Sequence, residues 1–226
     1  MNTFAVVLPV FGIVIQSIYI IAEHRVKYAL SVILKGTASI LFCVIGAIAM
    51  SIVSTNQSFA KLIVFGLCFG ALGDILLNLR FLFPANGQKI FLMGVVAFLT
   101  GHILYLCTIV PLSQNLLLCM VVGTILAAAL LTWIFKVLTI KPVLKIFGVL
   151  YLCAIVLMTS VAIGNAITAP GAAACLHAAG GVLFTISDIV LIFNTFGKEQ
   201  KLSMRITNLT LYYLGQLLIA FSLFFI

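Results

Sequence analysis

Apolar runs of about 20 residues recur from one end of the chain to the other, each long enough to cross a hydrocarbon core of about 30 Å as a helix. Eight are read, at approximately 4–22, 29–53, 60–79, 90–110, 116–136, 143–167, 172–195 and 206–226. The breaks between them are polar or carry Gly and Pro: Glu23 to Lys27, Ser54 to Ser58, Arg80 to Lys89, Pro111 to Asn115, Lys136 to Pro142, Ala169 to Gly171, and Gly197 to Arg205. Nothing is left over for a water-soluble domain. With 65% hydrophobic and 7% charged residues, against about a quarter charged in soluble domains, the expected fold is an all-α polytopic membrane bundle. It is expected to form one integral membrane domain over 1–226. Met1-Asn2-Thr3 lacks a basic n-region, and the first run reaches Ala22-Glu23-His24-Arg25 without a small-x-small cleavage site, so that run is expected to remain in the mature protein.

The net charge of +8 invites a nucleic-acid reading, but the basic residues stand singly in short loops and form no basic face. Topology accounts for them. The odd loops carry Arg25, Lys27, Arg80, Lys89, Lys136, Lys141, Lys145, Lys198, Lys201 and Arg205, whereas the even loops carry only Lys61. The positive-inside rule therefore places the odd loops in the cytoplasm and both termini outside it. The protein is expected to lie in the plasma membrane, the inner one in a bacterium.

Against this apolar background, the charges inside the runs stand out. Asp74 lies within Gly70-Ala71-Leu72-Gly73-Asp74-Ile75-Leu76-Leu77-Asn78-Leu79, and Asp188 within Phe184-Thr185-Ile186-Ser187-Asp188-Ile189-Val190-Leu191. An ionised Asp at the centre of a membrane helix costs roughly 2.5 to 3.5 kcal/mol on insertion scales, so such residues face a bundle interior or a wet cavity. Asp74 precedes Arg80 by six residues, which puts it roughly 9 Å inside the cytoplasmic boundary. Asp188 and Lys35 come out at about 12 Å by the same count. Tyr151 and Tyr212 enter the same layer, Gln216 lies one turn beyond Tyr212, and Asn78 and Asn194 stand nearer the cytoplasm. His102 and Tyr105 lie closer to mid-membrane. Four-residue spacing puts Asp74 with Asn78, and Tyr212 with Gln216, on common faces; three-residue spacing does the same for His102 and Tyr105. The expectation is a polar chamber opening toward the cytoplasmic leaflet. Its two Asp helices, third and seventh, are four apart and therefore parallel, as in a four-plus-four repeat.

Two carboxylates in a low-dielectric chamber do not both ionise comfortably, so one is expected to hold a proton while the other stays charged beside Lys35. Identical residues then supply an acid and a base. Other features take plainer readings. Gly66, Gly70 and Gly73 form a small-residue ridge for helix packing. His102 reads as a hydrogen-bonded interior residue, and His24 and His177 lie away from the chamber. Tyr19, Tyr28 and Trp133 fall near helix ends, where an interfacial belt explains them. The scattered cysteines show no metal-ligand spacing and are expected to be free thiols packed as small hydrophobes.

The combination of Gly73-Asp74-x-x-Leu77, Gly101-His102-Ile103-Leu104-Tyr105, Tyr151, Ser187-Asp188-x-x-Leu191 and Leu211-Tyr212-Tyr213-Leu214-Gly215-Gln216 resembles the YhhN-like lysoplasmalogenase family over nearly the whole chain. The resemblance implies hydrolysis of the vinyl ether bond of lysoplasmalogens to a fatty aldehyde and a glycerophospho-headgroup, with no metal and no cofactor. On that reading Asp74 and Asp188 are the catalytic pair. Lys35 biases their protonation or meets the headgroup phosphate, with Asn78, His102, Tyr105, Tyr151, Asn194, Tyr212 and Gln216 in support. The partners expected are a lysophospholipid substrate and the bilayer, and no nucleic acid. The competing class is a proton-coupled transporter built on the same Asp and Lys residues. An intramembrane aspartyl protease fits less well, because Ala71-Leu72-Gly73-Asp74 lacks the Gly-x-Gly-Asp form and Ser187-Asp188 replaces Tyr-Asp.

Overall fold

A computed structural model describes residues 3–53 and 56–226. The described residues form eight helices: α1 Thr3–His24, α2 Tyr28–Ile52, α3 Gln57–Leu79, α4 Gly87–Ile109, α5 Leu116–Val137, α6 Pro142–Thr168, α7 Ala172–Phe196 and α8 Leu202–Ser222. Each apolar run becomes one helix, and the protein is a polytopic membrane helix bundle. Helices α2 to α8 are long and apolar enough to cross a membrane. Helix α1 contains Pro9, and its apolar part from Pro9 to His24 is shorter. Residues 1 and 2, on which the placement of the N-terminus rests, and 54 and 55, within the expected break at 54–58, fall outside the described residues.

Local chemistry fixes the ends. Pro142 opens α6, where its missing N–H removes a donor that had no helical partner and its fixed φ suits the first turn. Pro84 and Pro111 sit in short 3-10 turns before and after α4. Asn56 takes a left-handed φ of 56° ahead of α3, a conformation an Asn tolerates better than most residues. The boundaries differ from the sequence reading in two useful places. Helix α1 runs on through Glu23, which was expected in a loop. Helix α8 starts at Leu202, not 206, which places Arg205 in its first turns.

Six helices close a ring in the order α2, α3, α4, α6, α7, α8 and back to α2, while α1 leans on α2 and α5 leans on α6. Advancing every helix number by four reproduces the same neighbours, so the halves α1–α4 and α5–α8 are arranged alike. Asp74 is the 18th residue of α3 and Asp188 the 17th of α7. The two acids thus occupy equivalent heights on equivalent helices. Helix α5, at the periphery, turns Leu117, Leu118, Ile125 and Leu126 outward, the apolar surface that lipid requires. Helix α8 is the opposite case: it buries Asn208, Tyr212, Tyr213, Gln216 and Ser222.

The tightest seam joins α7 to α8 through Gly180 and Gly215. A methyl on Gly180 would come 2.8 Å from the Gly215 carbonyl oxygen, and one on Gly215 2.9 Å from that of Gly180. Backbone cannot yield there as a side-chain tip can. Gly215→Ala is therefore expected to cost roughly 1–3 kcal/mol of stability, measured by unfolding in detergent or bicelles. Gly148→Ala, where a methyl would meet nothing within 4 Å, is expected to be neutral or slightly stabilising.

Candidate active site

Asp74 sits at the centre of a set of contacts from two other helices, α2 and α8, and is 4% exposed. Lys35 of α2 places Nζ 3.4 Å from its Oδ1. The Ser39 hydroxyl, one turn along α2, donates to Oδ2, as does the Tyr212 hydroxyl of α8 at 2.6 Å. Lys35, itself 1% exposed, also lies 4.5 Å from the centre of the Tyr212 ring and 5.5 Å from that of Tyr19. Charge, two donors and two aromatic faces thus replace the water that both ions give up.

Asp188, 3% exposed, is served differently. Its partner is the Tyr151 hydroxyl of α6, which donates to Oδ2. No cation among the described residues pairs with it. The register around it is clamped by Ser187, whose hydroxyl donates to the Asn208 carbonyl at 2.9 Å, and by the Asn208 amide, which donates to the Ser187 carbonyl at 3.0 Å. The equivalence of the two halves makes the contrast sharper. In each, the acid is met by a residue from the preceding helix of its own half, a lysine in the first and a tyrosine in the second.

Both acids line one cavity of about 70 Å³, together with Lys35, Asn78, Tyr151 and Tyr212. Phe98 and Phe184 form its apolar wall; their rings meet edge-on at 6.3 Å, and Phe184 meets Tyr212 at 5.1 Å. The glycine ridge of α3 has a specific use here. Gly66 seats the Tyr105 ring, Gly70 the Gln216 amide and Gly73 the Phe98 ring, each so closely that a methyl there would force its neighbour to move.

The remaining expected residues separate into layers. Tyr105 donates to Gln216 Oε1 at 3.0 Å, and neither lines the cavity. His102 is 1% exposed and packs edge-on against Phe184 at 4.5 Å. It is interior, as expected, but neither ring nitrogen has a hydrogen-bond partner among the described residues, which corrects its reading as hydrogen-bonded. Asn194 belongs elsewhere: its Oδ1 accepts the Lys201 backbone N–H at 2.7 Å, and it lines a second cavity of about 390 Å³ at the basic end of the bundle. Among the described residues, no three His, Cys, Asp or Glu side chains converge as a metal site. The six cysteines are free, three of them exposed rather than packed inside.

Several site residues were not found from the sequence. Tyr19 is fully buried, not interfacial. Its hydroxyl lies 2.8 Å from Glu23 Oε1 and 2.9 Å from Asn78 Oδ1, and accepts from Arg205 Nη2 at 2.7 Å. Glu23 is gripped at both oxygens by Arg205, at 2.9 Å from Nε and 2.6 Å from Nη2. This network covers the chamber at its basic end and fastens α1 to α8. The one available signal was spacing: Ser39 is four residues from Lys35, and Tyr19 four from Glu23, so each pair shares a helix face.

These features define a class of protein, an integral membrane helix bundle enclosing two carboxylates in one buried polar chamber. The chain matches the YhhN family over residues 30–223 and belongs to it. No curated protein and no solved structure matches it.

Breaking the cover has a measurable cost. Glu23→Gln and Arg205→Gln are each expected to lower stability by roughly 1.5–3 kcal/mol, the usual worth of hydrogen bonds to a charged group. The double variant is expected to lose less than the sum, because both substitutions remove the same interaction. Unfolding of the three variants side by side checks this.

Proposed function

We propose that the protein is a lysoplasmalogenase-like hydrolase that cleaves the vinyl ether of 1-alkenyl glycerophospholipids lacking a second acyl chain, such as the ethanolamine or choline forms. The observation carrying this reading is the unequal provision for two acids lining one cavity, Asp74 beside a lysine and Asp188 beside a tyrosine. Membership of the YhhN family supports it.

The reaction needs a proton donor to carbon and a carboxylate nearby. Asp74, with Lys35 and two hydroxyl donors, is the carboxylate; Asp188 is the acid. Tyr151 holds Oδ2 of Asp188, so the proton on the other oxygen is free to face the cavity. Asp188 gives that proton to the outer vinyl carbon, leaving an oxocarbenium ion stabilised by the carboxylates. Water adds to the cationic carbon and passes a proton to Asp74. The hemiacetal then collapses: its O–H proton returns to Asp188, and Asp74 hands its proton to the departing glycerol oxygen. Aldehyde and glycerophospho-headgroup are released, one water is consumed, and both acids regain their starting states. Lys35 offsets the moment when both carboxylates are charged.

The charge asymmetry of the loops supports an opening toward the cytoplasmic leaflet. A proton-coupled transporter is the alternative use of the same residues, but Asp74 and Asp188 lie in unbroken helices, and transporter sites are commonly built at interrupted ones.

Asp74→Asn and Asp188→Asn are each expected to reduce aldehyde release from a lysoplasmalogen by at least about 100-fold, the low end for general acid or base loss. Unfolding should remain cooperative. Tyr151→Phe is expected to retain part of the activity. Near-wild-type turnover in either Asn variant would overturn the assignment.

A further inference from the structure

We propose that Arg80 is the headgroup anchor of this chamber, binding the phosphodiester of a single-chain ether phospholipid at the neck between the two cavities. The proposal rests on the reading of the two-carboxylate cavity as the reaction site.

Three cations lie at or beside that cavity, and two are already engaged. Lys35 pairs with Asp74, and Arg205 grips Glu23 at both oxygens. Lys35 Nζ also lacks a hydrogen-bond partner, but Asp74 at 3.4 Å offsets its charge, which leaves it unsuited to the phosphate role open to it from the sequence alone. Arg80 has no ion pair or side-chain hydrogen bond among the described residues, and its Nε is buried without a partner. The side chain is half-buried, and the Nε donor it shuts off from water is costly to leave unmet. Its guanidinium carbon lies 4.7 Å from the Phe81 ring and 4.8 Å from the Phe91 ring. Aromatic rings offer no hydrogen-bond acceptor in the plane of a guanidinium, so these contacts leave its N–H groups available to a bidentate acceptor such as phosphate.

Position supports the same ligand. Arg80, Leu191 and Arg205 line both the 70 Å³ chamber and the 390 Å³ cavity at the basic end. Arg80 thus stands where a lipid headgroup in the larger space would meet its glycerol end in the smaller one. The six residues from Asp74 to Arg80 correspond to a rise of roughly 9 Å. Seven bonds separate the phosphorus of a 1-alkenyl lysophospholipid from its outer vinyl carbon, about 9 Å when extended at ordinary bond lengths. The two lengths are of the same order, so one extended headgroup can span the distance between the Arg80 end of the chamber and its acids. The second cavity carries Lys201 as well, and its one carboxylate, Glu23, is already neutralised by Arg205.

The test measures binding, independent of turnover, on the full chain in nanodiscs. A 1-O-alkyl lysophospholipid, whose saturated ether cannot be protonated at carbon, is compared with the matching 1-O-alkylglycerol, which lacks phosphate. Arg80→Gln is expected to weaken lysophospholipid binding about ten- to a hundredfold and leave alkylglycerol binding unchanged, which also reports an intact fold. Arg80→Lys should recover part of the loss, and Lys89→Gln, in the first turn of α4 and outside both cavities, should change nothing. Equal lysophospholipid affinity in wild type and Arg80→Gln overturns the proposal, as does equal weakening for both ligands, which marks a structural role. Inorganic phosphate competing as well as the lysolipid would make Arg80 a free-anion site and overturn the lipid assignment. Aldehyde release is measured separately. Arg80-dependent binding without turnover removes the proposed reaction and leaves the anchor; turnover without Arg80-dependent binding does the reverse.

Discussion

A lysine and an aspartate facing each other inside a hydrocarbon-spanning bundle impose the condition that the rest of this structure meets. Neither ion can be left without the other, and neither is satisfied by the other alone. The 3.4 Å pair is completed by Ser39, by the Tyr212 hydroxyl and by the faces of Tyr19 and Tyr212. Those groups come from α1, α2 and α8, while the carboxylate comes from α3. Satisfying one charge pair thus draws four helices to one point, and explains why α8, the most polar of the long helices, is also the most enclosed.

The repeated arrangement of the halves gives that pair a counterpart. A duplicated four-helix unit would place identical environments around Asp74 and Asp188, and the neighbours around the ring are indeed interchangeable. The side chains are not. Lys35 in one half and Tyr151 in the other make two equivalent positions unlike, one acid paired with a cation and the other hydrogen-bonded by a phenol. In the proposed reaction this difference divides acid from base. It depends on two residues, neither of them an aspartate.

Helix number and approximate extent were legible because hydrocarbon thickness demands about 20 apolar residues per crossing and loops must be polar. Relative height was legible for a related reason: a fixed rise per residue converts sequence distance from a loop into height, which brought Asp74, Asp188, Lys35, Tyr151 and Tyr212 to one layer, and all five line the one chamber. What height does not carry is azimuth. Asn78 and Asn194 look equivalent by depth, yet one lines the chamber and the other holds the start of α8. Glu23, Arg205 and Tyr19 escaped because a polar residue at a helix end has a sufficient explanation in water or lipid headgroups. Only the crossing of α1 over α8 reveals that they have each other.

The size of the chamber bears on how two acids differ by environment alone. About 70 Å³ holds no more than a few waters. In a wide aqueous cleft, solvent would hydrate both carboxylates and level the effect of a lysine 3.4 Å from one of them. Enclosed by Phe98 and Phe184, each acid is governed by its own few neighbours, because low dielectric makes a nearby charge count for more. In the proposed reaction the same confinement limits how much water can reach the oxocarbenium ion. The aromatic wall, which contributes no proton and no charge, is therefore what would let Lys35 and Tyr151 give two identical side chains the opposite tasks that the proposed reaction assigns them.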